Sequence, residues 1–226
     1  MKNKKVLITG GAGFLGTHLT EYLFGKGEYE IVILDKLEES LSSKYKDLIT
    51  HFQGDIMSKH DVSKVFKDHG PFPIIFHLAS AMPNKAVTNN VLWETNVLGT
   101  RNMIEEAVKN KTDSFVFTSS NVAYGIPKVL PVTERTSLHP LEIYGRSKEQ
   151  AEKELENFKE NINIQIFRCP VITGTGRLGL QAILYEFISE NKNVYVLGNG
   201  SNKYQFIDAM DACIALEKAS NSKGFP

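Results

Sequence analysis

The sequence is 226 residues long, 42% hydrophobic and 23% charged, the ordinary make-up of a soluble globular chain with one sizeable domain or one domain and a small appendage. Its 26 Lys and Arg balance 26 Asp and Glu, which leaves no electrostatic footprint for nucleic acid or for an anionic membrane. Two cysteines, Cys169 and Cys213, cannot make a disulfide framework, the start MKNKKVLITGG is neither a signal h-region nor a transit peptide, and no apolar run nears the ~18 residues of a membrane span, so the expected setting is the reducing cytoplasm.

Lys5–Thr9 opens the chain as a strand. Leu15, Leu19, Tyr22 and Leu23 then fall on one helical face, and Gly25 and Gly27 end that helix. Strands follow at Glu30–Asp35 and Ile49–Gln53, a helix at Lys59–His69, a strand at Pro73–Leu78, and a long helix at Asn90–Asn110. Ser114–Ser119 reads as a strand, Gly125–Pro140 as an irregular stretch, Ser147–Glu160 as a helix and Asn163–Arg168 as a strand. A helix at Leu178–Asn191, a strand at Asn193–Leu197 and a helix at Asp208–Ser220 complete the chain. Nearly continuous apolar runs such as Val6–Ile8 and Ile31–Leu34 are what strands buried on both faces look like. The alternation therefore predicts an α/β fold: a doubly wound parallel sheet of about seven strands with helices on both faces.

Between the first strand and the first helix lies Thr9-Gly10-Gly11-Ala12-Gly13-Phe14-Leu15-Gly16. Gly11, Gly13 and Gly16 fit G-x-G-x-x-G, and Gly10, Gly13 and Gly16 fit G-x-x-G-x-x-G. Glycines here permit a tight turn, close approach of backbone to a pyrophosphate, and close helix–strand packing. The helix N-terminus adds free N–H groups and partial positive charge. Asp35 closes the second strand, where an acid accepts bonds from ribose hydroxyls and repels a 2′-phosphate. These features predict NAD as the cofactor; Lys36, directly after Asp35, stands at the same place and tempers the preference over NADP.

Tyr-x-x-x-Lys occurs three times. Tyr22/Lys26 lies late in the first helix, and Tyr124/Lys128 spans Gly125 and Pro127, which forbid a helix. Tyr144/Lys148 opens a helix, with both side chains on the face that continues as Ala151, Leu155 and Phe158; Glu149, Glu152, Lys153 and Glu156 are expected on the solvent side. A tyrosine is a poor base at neutral pH, and an adjacent lysine cation favours its phenolate. Tyr144 can then exchange a proton while hydride moves to or from the cofactor. Ser119 and Ser120 end the fifth strand, at the carboxyl edge where such sheets bind ligands, and supply the hydroxyls expected beside the pair.

Taken together, TGGAGFLG (9–16), Asp35, GDI (54–56), HLAS (77–80), TNVLGT (95–100), TSSNVAYG (118–125), YGRSK (144–148) and RCPVITGTG (168–176) resemble the extended short-chain dehydrogenase/reductases, in particular the NAD-dependent epimerase/dehydratase group. The resemblance implies a Rossmann-type NAD-binding domain over 1–168. It implies a partial substrate-binding region over 169–226, with a last strand and helix returning to the core, because members of the group continue well past Pro226. It implies backbone contacts from Phe14 and Leu15 to the pyrophosphate, Asp55 and Ile56 against the adenine, and Leu78, Ala79, Ser80 and Ser119 lining the cofactor cleft. Asn96 supports the site, and Pro170 and Val171 approach the nicotinamide. Ser120 looks like the substrate-orienting hydroxyl, Tyr144 like the acid/base and Lys148 like its activator.

Three departures bear on substrate. Asn121-Val122 stands where 4,6-dehydratases of this group carry Asp-Glu, Val171 where many sugar-nucleotide epimerases carry Asn, and Tyr204 has only Lys203 beside it where many carry Arg. The resemblance implies epimerisation of a nucleotide sugar through a transient ketone; a dehydrogenase or reductase of a small hydroxyl or carbonyl compound, or a non-catalytic NAD-binding protein, are the alternatives. It also implies a homodimer through the fourth helix and the Tyr144 helix. The six histidines show no spacing suited to a metal, and His77, ending an apolar strand, reads as a packing residue.

Overall fold

The computed structural model describes residues 3–37, 48–177, 179–194, 198–201 and 203–222. Six parallel strands form the main sheet: β1 (Lys4–Thr9), β2 (Tyr29–Asp35), β3 (Thr50–Gln53), β4 (Ile74–His77), β5 (Ser114–Ser120) and β6 (Asn163–Cys169), in the order β3-β2-β1-β4-β5-β6. The order reverses between β1 and β4, where Thr9 lies opposite His77. That reversal opens a crevice at the carboxyl ends of the strands, the place where open α/β sheets take ligands.

Alternate residues of each strand go to opposite faces, and both faces are covered. Leu7, Val32, Leu34, Ile75, Phe115 and Phe117 meet α2 (Lys59–His69), α4 (Gly99–Lys109) and α5 (Ile143–Glu156) through Val65, Met103 and Leu155. Val6, Ile8, Ile33, Phe76 and Val116 meet α1 (Phe14–Lys26) and α7 (Ala209–Ser220) through Leu19, Leu23, Cys213 and Leu216. This is why the strands read as unbroken apolar runs. Each fully buried Leu, Ile or Phe contributes about 1.5–3 kcal/mol.

The structure departs from the sequence expectation in five places. The long fourth helix begins as α3 (Asn89–Trp93), capped by Thr88, and passes through a π-helical turn at Glu94–Leu98 before α4. The helix carrying Tyr144 starts at Ile143, because the Glu142 carboxylate accepts the N–H of Tyr144 at 2.7 Å and of Gly145 at 2.6 Å. Glu152 is buried rather than solvent-facing. Outside the main sheet, β7 (Val171–Thr173) and β8 (Phe206–Asp208) pair in parallel, two three-residue strands too short to read by period. Of the expected strand at Asn193–Leu197, residues 195–197 lie outside the described residues, and Asn193 and Val194 are in no strand.

Lastly, α6 (Leu180–Ser189) exposes Ile183, Tyr185 and Ile188. Among the described residues no helix is long and apolar enough to cross a membrane.

Candidate active site

The glycine loop is closed from three directions. Gly10 adopts φ +70°, and a Cβ there would sit 2.6 Å from the Ala79 amide nitrogen, so neither a side chain nor an ordinary backbone fits. A Cβ on Gly16 would collide with the Gly10 carbonyl and with Gly11, which lets α1 begin directly over the turn. No side chain caps Gly13, and the first helical bond runs from the Thr17 N–H to the Gly13 carbonyl at 2.9 Å. The amides of Phe14, Leu15 and Gly16 therefore stand at an open helix end, the arrangement that holds a phosphate.

Asp35 ends β2 beside this loop. Its Oδ2 accepts the Ala12 N–H at 2.9 Å and its Oδ1 the Leu37 N–H at 3.0 Å. Lys36 bonds Asp55 at 2.8 Å, so the cation beside Asp35 is neutralised by a second acid. Asp55 also accepts the Met57 N–H, while Ile56 is buried against Gly99 and receives Asn102 on its carbonyl at 3.0 Å. Acidic, cation-quenched surroundings favour a free ribose hydroxyl over a phosphorylated one.

On the other side of the reversal, the Leu78 N–H reaches the Thr9 carbonyl at 3.1 Å and the Ala79 N–H the Thr9 hydroxyl at 3.3 Å. Ser80 donates to Asn96 Oδ1 at 3.0 Å. Asn96, on the π turn, is buried, and its Nδ2 donates to Ser147 Oγ at 2.9 Å. It joins the loop after β4 to the helix carrying Tyr144.

Tyr144 and Lys148 lie together on α5. Lys148 is 2% exposed; its Nζ stands 4.8 Å from the Phe117 ring centre and 5.8 Å from that of Tyr144, and donates to the Thr118 carbonyl at 3.0 Å. Burial pulls the Lys148 pKa down to about 8, the charges of Cys169 and Glu152 working against it. Burial also holds the Tyr144 phenol above its usual range, a hydrogen bond with Ser80 pulling the other way. Desolvation thus dominates at Tyr144, and the lowering by Lys148 expected from sequence is not among the causes of the shift. Ser120 lies opposite Cys169 in the sheet register, and Cys169 acts electrostatically on both Tyr144 and Lys148. The Ser120 Oγ accepts the Val122 N–H at 3.4 Å, at the start of a 3₁₀ turn over Asn121–Tyr124.

Ser119 differs from its expected role: its hydroxyl donates to Glu152, leaving only its backbone for the cofactor cleft. Glu152 is held in turn by Arg168, Nη2 to Oε2 at 2.7 Å, and Arg168 Nη1 donates to the Tyr124 hydroxyl at 3.0 Å. This partly buried pair fixes α5 against β6 and was invisible to helical periodicity. Pro170 and Val171 follow β6, with Val171 46% exposed. Sequence reading also missed Arg177, whose guanidinium stands 5.6 Å over the Phe14 ring and acts on Tyr144. A cleft of ≈ 650 Å³ opens beside Gly13, Phe14, His18, Gly174 and Asp208, continuing the glycine loop toward β7 and β8. Among the described residues no cluster of three metal-ligating side chains occurs.

Residues 6–224 match the NAD dependent epimerase/dehydratase family. The chain is 31% identical over 229 residues to a putative UDP-glucose 4-epimerase of Methanocaldococcus jannaschii, covering 96% of this chain and 74% of that protein. An uncharacterised protein of Sinorhizobium fredii is 32% identical over 225 residues, of which this chain spans 54% of the length. Among solved structures, the UDP-glucose 4-epimerase of Thermotoga maritima with UDP-glucose superimposes with a TM-score of 0.82 at 26% identity, covering 96% of this chain and 73% of that one. The Thermus thermophilus UDP-glucose 4-epimerase complexed with NAD gives 0.81 at 25% identity, covering 96% and 75%.

Proposed function

The chain belongs to the NAD-dependent epimerase/dehydratase family, and from that premise we propose that it supplies the cofactor-binding and acid/base part of a nucleotide-sugar epimerase, with residues 1–168 as the cofactor unit and 169–226 as part of the substrate unit. The observation that carries this reading is Lys148. Burying an ammonium on a single neutral carbonyl is costly, and the helix places it under a tyrosine at the ligand-binding edge of the sheet.

The glycine cradle, the open end of α1 and Asp35 fit NAD: Phe14 and Leu15 amides toward the pyrophosphate, Asp35 toward the ribose, Asp55 and Ile56 toward the adenine, and Leu78, Ala79 and Ser80 along the cleft. When bound, NAD supplies the acceptor and donor of hydride. Tyr144 Oη takes the proton of a sugar hydroxyl and returns it after the ketone has turned. Lys148, charged at neutral pH with its pKa near 8, favours the phenolate that forms. Ser120 donates to the same sugar oxygen and orients it. Asn121 and Val122 offer no acid for a leaving hydroxyl, which supports epimerisation over dehydration.

The substrate class is a UDP-sugar, by likeness to the epimerases above. Val91 on α3 and Leu98 on the π turn, exposed one heptad apart, support homodimerisation through the long helix that α3, the π turn and α4 make up, together with α5. The free thiols of Cys169 and Cys213 fit a reducing cytoplasm. A second reading, an exchanging dehydrogenase or reductase, is favoured by one observation, the apolar exposed Val171.

Cofactor content separates the two. Protein purified without added nucleotide and then denatured should release near-stoichiometric NAD, and should interconvert UDP-glucose and UDP-galactose. Empty protein that turns over only with added NADH would favour the second reading. Retained activity in Tyr144→Phe would refute the catalytic assignment.

A further inference from the structure

His77 ends β4 with 0% exposure and sits in the middle of a chain of hydrogen bonds that crosses the site. Its Nδ1 lies 2.7 Å from the Thr9 hydroxyl and its Nε2 2.9 Å from the Thr100 hydroxyl. The positions of the protons follow by elimination. The Thr100 hydroxyl has one proton and gives it to the Asn96 carbonyl at 2.7 Å, since a carbonyl can only accept. Thr100 therefore accepts from Nε2, which must carry the ring hydrogen. Nδ1 is then a bare lone pair and accepts from Thr9, whose oxygen takes the Ala79 N–H at 3.3 Å. A second ring proton would set two donors against each other, and the ring is fully desolvated; its pKa is pushed down to about 3 accordingly.

The far end of the chain reaches the catalytic helix. In the π turn the Asn96 carbonyl is reached by the Thr100 side chain, four residues on. The Asn96 amide is fixed in one orientation, because the Ala81 N–H donates to its Oδ1 at 2.7 Å and its Nδ2 donates back to the Ala81 carbonyl at 3.1 Å. Nδ2 also donates to Ser147, whose hydroxyl donates to the Tyr144 carbonyl at 2.7 Å. Along the path Ala79, Thr9, His77, Thr100, Asn96, Ser147, Tyr144 each donor points toward Tyr144.

We propose that His77 is a positioning residue: held as the Nε2–H tautomer between Thr9 and Thr100, it fixes the π turn that aims Asn96 at the Tyr144 helix, and so ties the strand leading into the glycine loop to the acid/base. A purely apolar packing role would be served better by a phenylalanine, without the cost of burying two ring nitrogens. The proposal rests on the reading of Tyr144 as the acid/base, and its test is readable without turnover.

In the full-length chain labelled with ¹⁵N-histidine, long-range ¹H–¹⁵N spectra should show a neutral ring protonated on Nε2 for His77, unchanged down to pH 5. In chain labelled at tyrosine ¹³Cζ, the Tyr144 line, identified by its loss in Tyr144→Phe, should move in Thr100→Val, which keeps the shape and removes the hydroxyl. It should return in Thr100→Ser, which restores it. With a UDP-sugar, Thr100→Val should lower kcat about tenfold at unchanged KM, and Thr100→Ser should recover it. An Nδ1–H tautomer, or a Tyr144 line that ignores Thr100→Val, would overturn the proposal. Absent sugar turnover in the unmodified chain would strike the functional reading instead and leave both spectra to decide.

Discussion

The six-stranded half and the segment after β6 are built to different standards. In the first, Leu7, Ile8, Ile33, Phe76 and Phe117 are wholly inaccessible, and the site residues hang on their carboxyl ends. In the second, β7 and β8 make one short pair, α6 keeps Ile183, Tyr185 and Ile188 in solvent, and among the described residues only α7 returns to the sheet, through Cys213 and Leu216. The proposed acid/base is thus anchored where packing is dense, and the segment proposed to meet a substrate lies where packing is thin. Change in the first half should cost fold or catalysis; change in the second, away from the buried face of α7, should cost little of either.

The largest test of that contrast is Tyr144→Phe. Removing a positioned acid/base should lower turnover by about 10²–10⁴-fold while NAD affinity holds, as initial rates and NADH fluorescence titration would show. Next comes Glu152→Ala. It strands Arg168 beside a buried helix face and should cost about 3–5 kcal/mol in urea unfolding; a loss under about 1 kcal/mol would mean the pair behaves as a surface bridge. Gly10→Ala forces a side chain into a left-handed conformation against Ala79, a strain of about 1–3 kcal/mol, and equilibrium dialysis should find NAD binding lost.

A pH series sharpens the contrast further. The folded His77 refuses a proton that the unfolded chain accepts at the ordinary value of 6.5, so unfolding free energy should fall as pH drops from about 6.5 toward about 3. His77→Gln should flatten that slope. Least of all, Ile188→Ser on α6, 62% exposed, should shift stability by no more than about 0.5 kcal/mol. If it costs as much as Leu19→Ser, wholly buried on α1, the two halves are not as different as burial makes them.

Legibility in the sequence followed the same division. The glycine loop, Asp35 and the Tyr144/Lys148 pair were readable because their chemistry depends on local spacing, and local spacing survives folding. Glu152 was misplaced because a helix-face rule sends carboxylates to water. Its partner Arg168 lies on another element, and nothing in the helix announces it. The π turn was hidden because one extra residue leaves an apolar pattern nearly intact. The pairing of β7 with β8 was hidden because three residues carry no period. The activation of Tyr144 by Lys148 was inferred from charge alone, whereas desolvation of the phenol dominates in the folded chain.

Asp35 gives the last consequence. Each carboxylate oxygen has about two lone-pair directions, and each already holds one backbone amide, Ala12 on Oδ2 and Leu37 on Oδ1. The loop is therefore shaped before any dinucleotide arrives, and the entropy of ordering it is not charged to binding. The same carboxylate proposed to distinguish one dinucleotide from the other is a strut of the glycine loop. Replacing it to change cofactor preference should loosen the grip on both dinucleotides, so that selectivity and affinity at this position move together.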